Sequence, residues 1–128
     1  KIVNDQFGSM TNTFSLSKVI WALIEKNNLY TSKNKIFPNI HHWCDQGIIT
    51  WFDLALLIKK ISLEIGLLKN SAKIIPVSTS YFNFKATRPK YSVLDCTDTE
   101  NLISMNQKYW KESLFEILIS LKNRGYLN

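Results

Sequence analysis

The stretch "WCDQGIITWFDLALLI", residues 43–58, decides the fold. Its Asp-Gln-Gly at positions 45–47 is composed of residues that favour a turn. Thr50 is followed three residues later by Asp53, a spacing typical of the capping box that begins a helix. Apolar residues then recur at helical spacing until Gly66, which can end a helix in the left-handed conformation. The stretch therefore predicts a turn followed by a capped helix.

The rest of the chain alternates short extended segments with helices. Strands are predicted over residues 1–3, 39–44 ("NIHHWC") and 72–77 ("AKIIPV"). Apolar side chains at helical spacing predict a helix over residues 14–27, capped by Thr13. The same spacing predicts a last helix from Trp110 to near Gly125, and residues 78–90 are predicted to form a loop. The alternation of strands and helices is typical of an α/β fold.

In "TRPKYSVLD", residues 87–95, an arginine directly precedes a proline. Proline has a fixed φ and biases the residue before it toward an extended conformation, so Arg88 is held stiffly. The residues after Pro89 have the β-branched and aromatic content of a strand. From the residues alone, an ion pair with Asp95 or a contact with a helix carboxyl end is the favoured role for Arg88.

Length and charge limit the classes of protein. A chain of 128 residues that is 45% hydrophobic can form one core but not two comfortable domains. The 16 basic and 10 acidic residues give a net charge of +6, which favours an anionic partner. The basic residues are scattered, so a solvated surface is favoured over a nucleic-acid groove. No apolar run approaches the roughly 18 residues of a membrane helix, and we expect neither a nucleic-acid partner nor a membrane partner.

Several familiar kinds of site are disfavoured by their context. The four glycines are far apart, so none can form the glycine-rich turn of a dinucleotide site. "YFNFK", residues 81–85, has the Tyr-x-x-x-Lys spacing of short-chain dehydrogenases, but it falls in the predicted loop rather than on a helix. His41 and His42 would point to opposite faces of a strand, so a metal site is disfavoured. No metal ligands and no catalytic residues are predicted.

Two further residue types have structural interpretations. The tryptophans Trp21, Trp51 and Trp110 lie beside apolar stripes of the predicted helices, which favours core packing over base stacking. Cys44 and Cys96 fit no C-x-x-C pattern, so reduced thiols in a cytoplasmic protein are expected. The chain lacks an initiator methionine and a secretory signal, and we expect it to be part of a longer protein.

Five strings together carry a family resemblance. They are "VNDQFGSMT" (3–11), "HWCDQGIITWFDLA" (42–55), "IIPVSTSYF" (74–82), "RPKYSVLD" (88–95) and "YWKESLFEIL" (109–118). In order and approximate spacing, they resemble the C-terminal half of the dTDP-4-dehydrorhamnose reductase family. This resemblance covers nearly the whole chain.

The resemblance implies a division of labour within a longer enzyme. Members of the family are extended short-chain dehydrogenase/reductases that reduce dTDP-4-dehydro-L-rhamnose to dTDP-L-rhamnose, a precursor of surface polysaccharide. Their N-terminal Rossmann half binds NADPH and carries the catalytic Tyr and Lys, and Mg²⁺ is a further candidate cofactor of the full enzyme. Residues 1–128 would be the small C-terminal substrate-binding domain, with the Rossmann half absent. The chain alone is then expected to be inactive.

The resemblance also implies which residues bind the substrate. Arg88 would grip the diphosphate, because a planar guanidinium can donate two parallel hydrogen bonds to neighbouring oxygens. Pro89 and Ser92 belong to the same segment. The family loop Asp-Gln-x-Gly-x-Pro-Thr is matched by Asp5, Gln6, Gly8 and Thr11. This chain has Met10 where the family has proline, a difference that loosens the loop, and the loop leading to Arg88 lacks the family's prolines.

Two alternatives to a reductase stay open. Some relatives of the family act as partner subunits, so a non-catalytic regulatory or binding module is the second candidate, and a nucleic-acid binder is the third. In either family role, removal of a Rossmann half would leave a strand edge and apolar helix surface exposed. We therefore also expect self-association or a homodimer.

Overall fold

The structure of the chain, a computed structural model, describes residues 1–83 and 85–125. Within these ranges it has four α-helices and five two-residue strands. The helices are α1 (Thr13–Ser32), α2 (Trp51–Glu64), α3 (Thr97–Ile103) and α4 (Trp110–Asn123). The strands are β1 (Ile2–Val3), β2 (Phe7–Gly8), β3 (Ile49–Thr50), β4 (Pro76–Val77) and β5 (Tyr91–Ser92). This mixed composition confirms the predicted α/β class.

The strands form two small sheets that share the first eight residues of the chain. β1 pairs with β4 in parallel, with Ile2 opposite Pro76. β2 pairs antiparallel with β3 and parallel with β5, so it is the centre of a three-stranded sheet. The initial segment therefore holds together three parts of the chain that are distant in sequence.

Helix α2 begins as its sequence predicts. The Thr50 hydroxyl accepts a hydrogen bond from the Asp53 N–H at 3.1 Å and donates one to Asp53 Oδ2 at 2.6 Å. Beyond its carboxyl end, Gly66 has a φ of +70°, the left-handed conformation expected of a terminating glycine. The last helix also agrees with its prediction, since it begins at Trp110 and Gly125 follows its end with a φ of +68°.

Helix α1 differs from its prediction at both ends. Asn12, and not Thr13, caps it, because the Asn12 side chain accepts a hydrogen bond from the Phe14 N–H at 2.7 Å. The helix continues to Ser32, past the predicted end at residue 27, and Asn34 then leaves the helical region with a φ of +52°. No glycine or proline lies between residues 27 and 32 to stop it earlier.

Two predicted strands are wrong wholly or in part. Residues 39–44 form no strand, since a strand needs a partner strand and none of the described strands pairs with them. Directly after them, the Asp45 N–H donates to the Met10 carbonyl, in the loop before α1, at 2.7 Å. Pairing of the predicted strand 72–77 is confined to Pro76–Val77. Helix α3 was missed, since seven residues are too few to show a period. The predicted loop, residues 78–90, contains one turn of 3₁₀ helix at Thr79–Tyr81, and Phe84 within it lies outside the described residues.

The core prediction holds for one of the three helical tryptophans. Trp110 is buried together with Val3, Val19 and Leu118. Trp21 and Trp51 are 66% and 50% exposed, so their assignment to the core is wrong. Periodicity places a side chain on a helix face but does not show whether another element covers that face.

The turn at residues 45–47 is fixed by bonds on both sides. The Gln46 N–H donates to the Lys108 carbonyl at 2.8 Å, and the Trp110 N–H donates to the Gln46 carbonyl at 3.1 Å. Gly47 has a φ of +106°, and a Cβ there would lie 2.6 Å from Trp110 Cδ1 and 2.8 Å from Tyr109 Cε2. The turn is therefore closed against the start of α4 and has room only for glycine.

We expect Gly47→Ala to destabilise the protein much more than Gly66→Ala. Both positions have positive φ, which costs a non-glycine residue about 1–2 kcal/mol. Only at Gly47 does the new methyl group also overlap two aromatic rings, which adds about 1–3 kcal/mol, whereas no atom lies within 4 Å of a Cβ at Gly66. Urea unfolding of the two variants measures the difference, and equal losses would contradict it.

Candidate functional site

A cleft of about 390 Å³ opens beside the three-stranded sheet. Its walls come from β2 and the loop after it, from the β3–α2 junction, and from the segment that leads into β5. The lining residues are Gln6, Phe7, Gly8, Ser9, Met10, Thr11, Ile49, Trp51, Arg88, Pro89 and Ser92. Among these lining residues, Arg88 carries the only charge, so the cleft is suited to an anion with both apolar and hydroxyl groups.

Pairing between β2 and β5 brings together two parts of the cleft wall that are distant in sequence. The Phe7 N–H donates to the Lys90 carbonyl at 2.7 Å, and the Ser92 hydroxyl donates to the Phe7 carbonyl at 3.3 Å. A Cβ at Gly8 would lie only 3.1 Å from Ser92 Oγ, so the close approach of the two strands depends on glycine. The segment that carries Arg88 is thereby held beside the Gln6–Thr11 loop.

Six of the seven sequence-predicted binding residues line this one cleft. They are Gln6, Gly8, Thr11, Arg88, Pro89 and Ser92. Met10 stands where the family has proline, and its carbonyl accepts from the Asp45 N–H, so a backbone bond anchors the loop at this position. Asp95, the alternative partner considered for Arg88, accepts a hydrogen bond from the Thr97 N–H at 3.0 Å at the start of α3.

Asp5, the seventh predicted residue, is engaged elsewhere. Its carboxylate accepts two hydrogen bonds from the Thr79 N–H, at 2.9 and 3.0 Å, and one from the Thr79 hydroxyl at 2.6 Å. These bonds hold the pKa of Asp5 below its usual value, with a smaller contribution from the charge of Lys90. Asp5 does not line the cleft, and a direct contact with substrate stays a prediction.

Two residues that matter in the cleft region were missed by sequence reasoning. Trp51 was assigned to the core, yet it stands half exposed in the cleft wall at the first position of α2. Its place directly after the capping Thr50, where the helix begins, was the available signal. Thr79 gave no signal, because its contacts are with residues more than seventy positions away.

The cysteines, which are distant in sequence, meet in the fold. Cys44 and Cys96 are both buried free thiols, and their Sγ atoms lie 3.6 Å apart. Burial, followed by the hydrogen bond with Cys44, raises the pKa of Cys96 to about 11, so its thiol stays protonated at neutral pH. Within residues 1–83 and 85–125, no group of three or more His, Cys, Asp or Glu side chains could hold a metal ion.

The fit of a dinucleotide cofactor can be tested on the helix starts. A pyrophosphate binds where a glycine-rich turn opens a helix. The four helices of the described chain are capped by Asn12, Thr50, Cys96 and Tyr109, and no glycine is among these caps. None of the four described helices therefore begins at the glycine-rich turn that holds the pyrophosphate in a Rossmann half. None of the described helices is long and apolar enough to cross a membrane.

Comparison with known proteins gives one consistent assignment. The family described as "RmlD substrate binding domain" matches residues 1–123. The spore coat polysaccharide biosynthesis protein SpsK of Bacillus subtilis (strain 168) is 30% identical over 118 residues, which are 92% of this chain and 36% of SpsK.

Two solved structures of dTDP-4-dehydrorhamnose reductases are similar. The structure from Clostridium acetobutylicum has a TM-score of 0.72 and 32% identity, covering 94% of this chain and 38% of its own. The structure from Bacillus anthracis, in complex with NADP, has a TM-score of 0.65 and 28% identity, covering 93% and 37%. This chain thus spans less than two fifths of the length of these relatives. It belongs to the RmlD substrate-binding domain family, and its α/β fold is that of the C-terminal substrate-binding portion of dTDP-4-dehydrorhamnose reductase-like proteins.

Proposed function

We propose that this chain is the substrate-binding part of a dTDP-4-dehydrorhamnose reductase, which reduces dTDP-4-dehydro-L-rhamnose to dTDP-L-rhamnose with NADPH. The observation that carries the proposal is the cleft, which unites the Gln6–Thr11 loop with Arg88 and Ser92. Family membership and the two similar reductases support the reaction. The name of SpsK supports a role in polysaccharide biosynthesis.

The lining residues divide according to the parts of a nucleotide sugar. Arg88 is proposed to bind the diphosphate, because its planar fork matches two adjacent phosphate oxygens. Trp51 offers an exposed flat surface on which the thymine or sugar ring can stack. The hydroxyl groups of Thr11 and Ser92 can exchange hydrogen bonds with the sugar.

The remaining parts of the reaction are proposed to lie in the rest of a longer, cytoplasmic protein. NADPH would supply the hydride there, next to the catalytic Tyr and Lys of a Rossmann half. Residues of this chain bind and orient the substrate. We assign no ligands to Mg²⁺ within the described residues. The alternative, a non-catalytic module of the same family, would use the same cleft. It would differ from the enzyme only in the proposed Rossmann half, which would lack the catalytic residues.

We predict that residues 1–128 alone show no saturable binding of NADPH and no reductase activity. The physical reason is that no described helix begins at a phosphate-cradling glycine turn. Calorimetric titration with NADPH tests this, and micromolar affinity would overturn the division of labour. The positive control is the protein that carries both parts, that is, a Rossmann half together with residues 1–128. Its turnover of dTDP-4-dehydro-L-rhamnose distinguishes an enzyme from a non-catalytic module.

We predict that Arg88→Lys in the protein carrying both parts weakens dTDP-sugar binding by about tenfold to a hundredfold. Lysine keeps the charge but loses the bidentate fork, and a hydrogen bond to a charged group contributes about 1.5–3 kcal/mol. NADPH affinity should not change. Arg124→Lys, at the end of α4 and away from the cleft, is the matched control. A loss of melting temperature without a dTDP-sugar defect would instead indicate a structural role for Arg88.

Self-association of the isolated segment remains a prediction. Large apolar side chains are exposed in α1 and in the segment after it, with Trp21 at 66% and Ile36 at 93% exposure. Surfaces of this kind tend to recruit other chains. Light scattering of residues 1–128 should therefore show oligomers at high concentration, and a monodisperse monomer with a high melting temperature would contradict the prediction.

A further inference from the structure

Thr79 lies between two residues of the β1–β2 turn and bonds to both. Its hydroxyl is 2.6 Å from Asp5 Oδ1 and 3.0 Å from Gln6 Nε2. Gln6 is 8% exposed and lines the cleft, whereas Asp5 does not. The three side chains therefore form a short hydrogen-bonded chain that leads from outside the cleft to its wall.

The hydrogen bonds that link Asp5, Thr79 and Gln6 allow only one arrangement of their protons. The lowered pKa of Asp5 keeps its carboxylate ionised at neutral pH, so it can only accept. The Thr79 hydroxyl has one proton and must donate it to Asp5, which leaves its lone pairs for the Gln6 amide. Only the Nε2 end of that amide can donate to them. The carboxylate thus determines that the Nε2 end of the Gln6 amide, and not the Oε1 end, faces Thr79. Without it, either end could face Thr79.

The fixed orientation has a consequence for the cleft. With Nε2 bonded to Thr79, the Gln6 carbonyl oxygen Oε1 is the end of the amide left to accept a hydrogen bond from a ligand. A nucleotide sugar has two kinds of donor for such an acceptor, the sugar hydroxyls and the imide N–H of the base. An amide free to flip would offer a donor in half of its states and discriminate poorly.

We propose that Asp5 and Thr79 are positioning residues that hold the Gln6 amide so that Oε1 accepts a hydrogen bond from a donor group of the nucleotide sugar. The inference rests on the proposed function and deepens it, because it assigns the acceptor in the cleft. It also gives Asp5 a role that needs no contact with substrate.

Thr79→Val in the protein carrying both parts is the first test. Valine has the shape of threonine without the hydroxyl, so the amide loses its fixed orientation. KM and Kd for the dTDP-sugar should rise roughly threefold to tenfold, the effect of one neutral hydrogen bond, and NADPH affinity should stay the same. Thr79→Ser keeps the hydroxyl and should restore binding to within about twofold. Ser80→Ala, which removes an exposed hydroxyl from the same turn, is the matched control.

Asp5→Asn and the double variant separate positioning from direct contact. If Asp5 acts through Thr79, Asp5→Asn weakens dTDP-sugar binding, and adding it to Thr79→Val produces no further loss. If Asp5→Asn weakens binding while Thr79→Val does not, Asp5 touches the ligand and the proposal is overturned. Gln6→Leu, which removes the acceptor, should reproduce the Thr79→Val defect even if the valine variant folds poorly.

Two further measurements complete the test. Titration with dTDP alone, which lacks only the hexose, locates the donor. Thr79→Val weakens dTDP binding if the nucleoside supplies the donor, and leaves it unchanged if a hydroxyl of the hexose does. A lower melting temperature with unchanged KM for the dTDP-sugar would overturn the positioning role alone. Failure of the unaltered protein to bind the dTDP-sugar would overturn the proposed function and the inference with it.

Discussion

The bonded backbone of residues 45–47 is the constraint on which the rest of the structure depends. Its N–H groups donate to the loop before α1 and to the loop before α4, and its carbonyl at Gln46 receives the first N–H of α4. The chain then passes directly into β3 and the cap of α2. One short turn thus sets the relative positions of three helices and supports the Met10 wall of the cleft.

Local signals were sufficient for the parts of the fold that are stabilised locally. The Thr50–Asp53 cap and the terminal glycines Gly66 and Gly125 act within one turn of helix, and the sequence located them correctly. Residues 39–44 were mistaken for a strand because a strand requires a partner, and partners are decided by tertiary structure. For the same reason helix periodicity could not separate buried Trp110 from exposed Trp51.

The candidate site, too, was predictable only in part from the sequence. Six cleft residues were located through their resemblance to a family, and the fold gathers them through the pairing of β2 with β3 and β5. The bond between Asp5 and Thr79 joins residues far apart in the chain, so no local pattern could reveal it. Asp5 was consequently assigned to the ligand on the basis of its motif alone. Its bonds to Thr79 show one contact of its carboxylate, and a direct contact with the ligand stays a prediction.

The two small sheets have a consequence for the order in which the protein is made. Residues 2–8 leave the ribosome before the rest of this segment, yet β4 and β5, with which they pair, lie in its second half. Helices α1 and α2 close through local bonds and need not wait. Since contacts between distant residues form more slowly than local ones, and chains grow at about 5–20 residues per second, the cleft is completed only after the early helices have formed. The cleft is therefore one of the last parts of the domain to take shape during translation.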